Sequence, residues 1–173
     1  MIIEGYHMPA EPIYEAILKL LNERGVGYRE IKHEAAGKSK EVAVVRGDDE
    51  AGMGGKALVV KVGEEFKLFV LSSVLKFDST AVMKYFHVKK CRFATHDEVK
   101  ALTTLVVGTI PPFGRPILPL DVYADPSIVG KKNIGFNAAS LTHSIVMSTA
   151  DWLKLRILLC SSSRGTHKYH FLA

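Results

Sequence analysis

Apolar residues along this chain keep two rhythms, one near 3.6 residues and one of two, and segments of each alternate. Ile13, Ile17, Leu20 and Leu21 recur at helical spacing within 12–24, with Pro12 suited to a first turn and Gly25 to a C-cap. A short strand is expected at 28–32. Ser39 is the N-cap expected for a second helix through Val45 that ends near Gly47, and 48–55 reads as a loop. Strands at 56–62 and 66–71 flank Gly63-Glu64-Glu65, a short hairpin. The run Ala57-Leu58-Val59-Val60 is apolar on both faces, which places that strand inside a sheet.

Asp78 or Ser79 caps a helix through Phe86, and 91–94 is a further strand. Thr95-His96-Asp97-Glu98 has capping-box form and opens a helix to Leu102. Beyond a glycine-bounded loop at 108–114, strands are expected at 118–123, 133–137 and 143–147, with a turn at Asp125-Pro126-Ser127. Ser148 caps a last helix over 149–159 that buries Trp152, Leu155 and Leu159. The pattern predicts one α+β domain over 10–159, with an arm at 1–9 and a Ser-rich, basic tail at 160–173.

Composition adds boundaries. With 173 residues, 47% apolar and 24% charged, the chain has the balance of a globular domain with a sizeable core. No apolar run is long enough to cross a bilayer, and Glu4, His7 and Glu11 occupy the place of a signal peptide's apolar core. Cys91 and Cys160 form neither a disulfide framework nor a metal-ligand spacing, so a reducing cytoplasm is the expected compartment. There is no zinc spacing, Walker loop or dinucleotide fingerprint, and neither metal nor cofactor is expected. The net charge of +5 permits a polyanionic partner without requiring one.

Three segments carry candidate chemistry. In Gly54-Gly55-Lys56-Ala57-Leu58-Val59-Val60 a lysine stands where a loop meets an apolar strand. Most strand lysines only reach solvent, but this position can present a fixed positive charge. Lys61, on the opposite face, reads as solvated. In Val107-Gly108-Thr109-Ile110-Pro111-Pro112-Phe113-Gly114 the first residues keep their N–H groups and the prolines stiffen the loop. It is either a structural turn or a preorganised clamp for a polarised carbonyl. In Phe136-Asn137-Ala138-Ala139-Ser140-Leu141-Thr142-His143-Ser144 an amide, hydroxyls and an imidazole crowd a turn between two strands. No acid is placed to orient His143, so a Ser140–His143 esterase is a weak reading. The remaining histidines, among them His33, read as terminal or boundary residues.

Taken in order, Ser-Lys-Glu-Val-Ala-x-x-Arg-Gly from Ser39, Gly-Lys-Ala-Leu-Val-Val-Lys from Gly55, Gly-x-x-x-Pro-Phe-Gly from Gly108 and Phe-Asn-Ala-Ala-Ser-Leu-Thr-His-Ser-Ile from Phe136 resemble the YbaK/ProX family. These are the editing domains associated with prolyl-tRNA synthetase, and the resemblance covers roughly residues 10 to 158. It implies a mixed, partly barrel-like sheet surrounded by helices. It also implies hydrolysis of the ester that joins a wrong amino acid to the tRNA 3′ end, with no side-chain nucleophile. Water attacks, or the substrate's own thiol when the amino acid is cysteine.

On this resemblance Lys56 matches the essential strand lysine, and Gly108 and Pro112 match the Gly-x-x-x-Pro loop. The expected catalytic set is Lys56, Gly108, Thr109 and Ile110. The expected substrate pocket is Pro112, Phe113, Asn137, Ser140, Thr142 and His143. Lys131 and Lys132, with Lys89, Lys90 and Arg92, are candidates for tRNA phosphates. Pro111 and Ser140-Leu141-Thr142-His143-Ser144 depart from the bacterial cysteine-editing pattern, which leaves alanine, cysteine or another small amino acid open. The expected activity is trans-editing, with tRNA-Pro as substrate and prolyl-tRNA synthetase or a synthetase complex as a further partner. The alternative is a non-catalytic tRNA- or synthetase-binding module on the same fold.

Overall fold

A computed structural model describes residues 11–34 and 54–162. Its elements run α1 (Glu11–Glu23), β1 (Tyr28–Lys32), β2 (Gly55–Val62), β3 (Glu65–Ser72), α2 (Ser79–Phe86), β4 (Cys91–Phe93), α3 (His96–Thr103), β5 (Asp121–Ala124), α4 (Pro126–Val129), β6 (Asn133–Asn137), β7 (His143–Ser148) and α5 (Thr149–Ser162). This is the expected α+β class. The helix expected from Ser39 to Val45, the loop at 48–53, the arm at 1–9 and residues 163–173 lie outside the described residues.

The strands form two sheets, ordered β1-β7-β6 and β4-β2-β3-β5. The first is antiparallel throughout, and in the second only β3 and β5 run parallel. Among the described residues they do not close into a barrel. Among the described residues an isolated parallel bridge from Gly54 to Gly135 joins them. α1 and α5 lay Ile17, Leu21, Trp152 and Leu155 into a core with Val70, Phe113, Ile134, Phe136 and Ile145. The apolar run of β2 serves both faces as its pattern predicts: Val59 packs with Leu68 and Ile110, and Val60 with Phe69 and Val82 of α2.

Local chemistry sets the ends. Asp78 rather than Ser79 caps α2, its carboxylate accepting the Ala81 N–H at 2.9 Å. Both arms of the Thr95–Glu98 capping box form on α3. Three expectations shift. The strand expected from 118 starts at Asp121, because the N–H groups of Ile117 and Leu118 turn back onto the Gly114 carbonyl at 2.9 and 3.0 Å. Leu118 and Leu120 are buried from that turn, which gave them a strand's alternation. A Cβ on Gly114 would sit 2.3 Å from the Leu120 carbonyl oxygen, so the turn excludes any other residue there. Asp125-Pro126-Ser127 opens α4 instead of closing a turn: Asp125 accepts the Ser127 N–H at 2.8 Å, and Pro126 sits where a missing N–H is free of cost. Helix α5 continues to Ser162, past the 159 expected.

Candidate active site

The Gly-bounded loop is fixed from three directions. Asn137, at the end of β6, donates its side-chain N–H to the Gly108 carbonyl at 2.7 Å. Thr109 turns its backbone N–H and its hydroxyl to the Val106 carbonyl, at 3.1 and 2.8 Å. Trp152 of α5 donates its indole N–H to the Pro112 carbonyl at 3.0 Å. The Gly108 carbonyl and the Thr109 N–H belong to one peptide unit, so that unit is pinned at both ends. Gly108 holds φ at +95°, a conformation that favours glycine. Among the described residues, no hydrogen-bond acceptor takes the N–H of Gly108 or of Ile110. These two donors flank the pinned unit.

Thr109 therefore corrects the sequence expectation, since its N–H is committed to the loop itself. Phe113 is a second correction. It is 2% exposed and packs edge-on to Phe136 in the core, so it anchors the loop instead of lining a pocket. Pro112 is buried beside it.

The β6–β7 turn makes a compact polar cluster. Ser140 Oγ accepts the Thr142 N–H at 3.0 Å and lies 3.1 Å from Thr142 Oγ1. His143 Nδ1 lies 3.0 Å from Thr142 Oγ1 and 3.3 Å from Ser140 Oγ, and the Tyr14 ring meets the imidazole edge-on. Burial lowers the His143 pKa, the positive charges of Lys32 and His33 lower it further, and Glu30 opposes them. A neutral ring whose Nδ1 accepts a hydroxyl proton fits both facts. Ser140 is fully buried and its oxygen serves the turn, so the pair is no nucleophile and base. Ala139 carries the turn at φ +55°, a conformation that costs a non-glycine residue about 1–2 kcal/mol.

Lys56 reaches this end of the molecule by another route. The Gly54–Gly135 bridge is parallel, so Lys56 and Asn137 each lie two residues past it in one direction, about 6.6 Å along their strands. The ladder puts the Lys56 side chain on the face of Leu58 and Val60, away from the Ile110 packing against Val59. Its ammonium donates to the Leu75 carbonyl and, at 3.4 Å, to that of Ser73. Burial lowers its pKa. Two of its three protons are thus engaged within the fold. No hydrogen bond joins Lys56 to the 108–114 loop among the described residues.

Lys131 and Lys132 precede β6 at Asn133, about 13 Å along the strand from Asn137. Arg92 is tied bidentately to Glu98 at 2.7 and 2.8 Å, which removes it from the candidate phosphate contacts, whereas Lys89 and Lys90 are exposed. Among the described residues there is no cluster of three metal-ligating side chains, and no helix is long and apolar enough to cross a membrane. Sequence reading missed His33 and Ser144. His33 lies one residue past β1 and Ser144 is in β7, and only the pairing of those strands brings them together, with ring Nε2 and hydroxyl 2.8 Å apart.

The model of the aminoacyl-tRNA editing domain matches residues 33–155. The chain belongs to this family. The editing domain also resembles the multifunctional Ser/Thr-tRNA deacylase ProXp-y of Escherichia coli (strain K12), at 34% identity over 148 residues, 82% of this chain and 87% of that protein. A proline–tRNA ligase of Macrococcus caseolyticus is 24% identical over 96 residues, 56% of this chain but 16% of the ligase. A solved protein described as a candidate trans-editing enzyme for prolyl tRNA synthetase superposes with a TM-score of 0.71 at 25% identity, over 84% of this chain and 92% of that one.

Proposed function

We propose that this editing domain is a trans-acting aminoacyl-tRNA deacylase that hydrolyses the ester of a mischarged tRNA, with tRNA-Pro carrying alanine, cysteine or another small amino acid as substrate. Serine and threonine join that set on the likeness to a Ser/Thr-tRNA deacylase. One observation carries the reading: the pinned Gly108–Thr109 peptide leaves the N–H groups of Gly108 and Ile110 beside it, in a loop braced by β6 and α5. Such donors stabilise an oxyanion without reorganising, and each is worth about 10²–10³ in rate.

Water adds to the ester carbon, and the carbonyl oxygen gains negative charge opposite the two N–H groups. The C–O bond to the ribose then breaks, and the proton lost by water ends on the ribose oxygen. The third ammonium proton of Lys56 meets a ribose or phosphate oxygen, and Lys131 and Lys132 meet phosphates farther along the acceptor end. Asn137, Thr142 and His143 bound the amino-acid side.

A panel of mischarged tRNAs tests this, with ester loss measured over the uncatalysed rate. Catalysed loss from a tRNA carrying a small amino acid is expected. Tight tRNA binding with no catalysed loss from any member would replace the proposal with a binding module. The cytoplasm, where translation supplies this substrate, is the proposed compartment, and prolyl-tRNA synthetase or a synthetase complex is the proposed further partner.

A further inference from the structure

A cavity of about 180 Å³ opens between β3 and α2, on the same face of the sheet as Lys56. Phe69 and Leu71 of β3 line it, with the segment from Lys76 to Asp78, the start of α2 and Asp125. Lys56 is the register partner of Leu71, so the two side chains stand side by side, about 5 Å apart at Cβ. The Lys56 ammonium bonds to the Leu75 carbonyl, which belongs to the peptide joining Leu75 to Lys76. The cavity therefore adjoins the candidate active site, on the side away from Ile110. On a scale of about 30 Å³ for a water it has room for a ring system, and it falls short of the about 300–1,000 Å³ that encloses a drug-sized ligand.

Its lining sorts by chemistry. Phe69 and Phe77 form an aromatic wall, their rings 5.2 Å apart and edge-on, with Leu71 and Val82 beside them. Asp78 gives one carboxylate oxygen to the Ala81 N–H at 2.9 Å, and Asp125 gives one to the Ser127 N–H at 2.8 Å. The second oxygen of each takes no hydrogen bond among the described residues, and it can only accept. Lys76 is exposed, and among the described residues no acid pairs with it. An apolar slot with free acceptors and a nearby cation complements a nucleotide whose base carries an exocyclic amine.

We propose that this cavity is a subsite for the terminal adenosine of the tRNA: the base takes the apolar slot, its amine donates to Asp78 and Asp125, and its 5′ phosphate meets Lys76. The ribose stays at Lys56. A base is bonded directly to its ribose, so a slot that begins at the register partner of Lys56 is within its reach. The amino acid then lies on the other side of the ribose, toward Gly108. The identity of the occupant rests on reading the adjoining site as one for a tRNA 3′ end.

Adenosine 5′-monophosphate (AMP) and inosine 5′-monophosphate (IMP), which has a carbonyl in place of the amine, test this on the full chain by amide NMR. Millimolar AMP should shift the amides of Phe77, Asp78, Ala81 and Val82, and should bind about 5-fold or more tightly than IMP. Asp78→Asn combined with Asp125→Asn keeps both caps, since asparagine caps as aspartate does, but puts NH₂ groups where the free acceptors stood. This double variant should hold its Tm within a few degrees and lose or reverse the preference for AMP. The ratio of affinities is the readout, because the change in charge acts on both phosphates alike. Lys76→Ala should weaken AMP and leave unphosphorylated adenosine unchanged. With a deacylated substrate in hand, AMP should raise KM and leave kcat unchanged. Equal binding of AMP and IMP, a preference that survives the double variant, or no shift at the cavity overturns the proposal whether or not any tRNA is deacylated. AMP held in the cavity with no catalysed ester loss from any tRNA would instead remove the deacylase reading and leave the nucleotide site standing.

Discussion

Replacing Gly108 with alanine isolates the clamp, because the site has room for a methyl group and forbids its conformation. A Cβ at Gly108 would lie 3.6 Å from Leu141 Cδ2, an ordinary contact, so no clash arises. The difficulty is φ at +95°, where a side chain costs about 1–3 kcal/mol. The bond that holds this conformation, from Asn137 to the Gly108 carbonyl, is worth about 0.5–1.5 kcal/mol net. The strain exceeds the bond, so the loop is expected to relax and draw the Gly108 carbonyl away from Asn137. The flanking N–H groups then leave their places. Stability should fall by no more than the strain, about 2–12 °C in Tm at this chain length. The rate should fall by about 10²–10³ in kcat with KM nearly unchanged, because the donors act mainly in the transition state. Single-turnover deacylation and a thermal melt on one preparation measure both. A lowered Tm with normal kcat per folded molecule would refute the clamp and leave Gly108 a structural turn residue.

Lys56→Ala should abolish deacylation and move Tm by only a few degrees, since the ammonium's contacts are two loop carbonyls; turnover near the wild-type rate would remove Lys56 from the catalytic set. Lys131→Ala with Lys132→Ala should weaken tRNA binding across sequences and flatten its log–log salt dependence by roughly one unit for each phosphate no longer neutralised, and an unchanged slope would assign both to solvent. Glu98 titrates at about 2 against an ordinary 4.5, held down first by the Arg92 hydrogen bonds and then by the Thr95 N–H. A carboxylate lowered in the folded state contributes stability above its unfolded pKa and loses it as pH falls toward the folded one, so Glu98→Gln should flatten the acid loss of stability between 4.5 and 2 in urea melts; an unchanged acid limb would contradict the pair.

What the sequence made legible was what the chain specifies locally. Caps at Asp78, Thr95 and Ser148 depend on residues three or four apart, and each is found. The two-sided apolar run of β2 specified an interior strand, and the structure pairs it with β3 and β4. The readings that shifted depend on a distant or alternative partner. Leu118 and Leu120 alternate like a strand, but their burial comes from a turn closed on Gly114. Phe113 stands in a functional motif, yet Phe136 on β6 claims it for the core.

The site follows the same division. Composition alone placed free donors and stiffening prolines in the 108–114 loop. It could not say which N–H the loop spends on itself, because that depends on Thr109 reaching back to Val106 and on Asn137 taking the preceding carbonyl. Once both ends of that peptide are occupied, the available donors become those of Gly108 and Ile110, on either side of it. The rigidity then comes less from the prolines than from β6 and α5, through Asn137 and Trp152. A loop braced in this way transmits changes made in those elements. Asn137 links it to Ser144 of β7 and onward to His33, 111 positions from Ser144 along the chain. The loop's geometry therefore depends on the three-stranded sheet, and if the loop is the proposed ester clamp, variants that loosen the β1–β7 pairing should impair turnover before they unfold the domain.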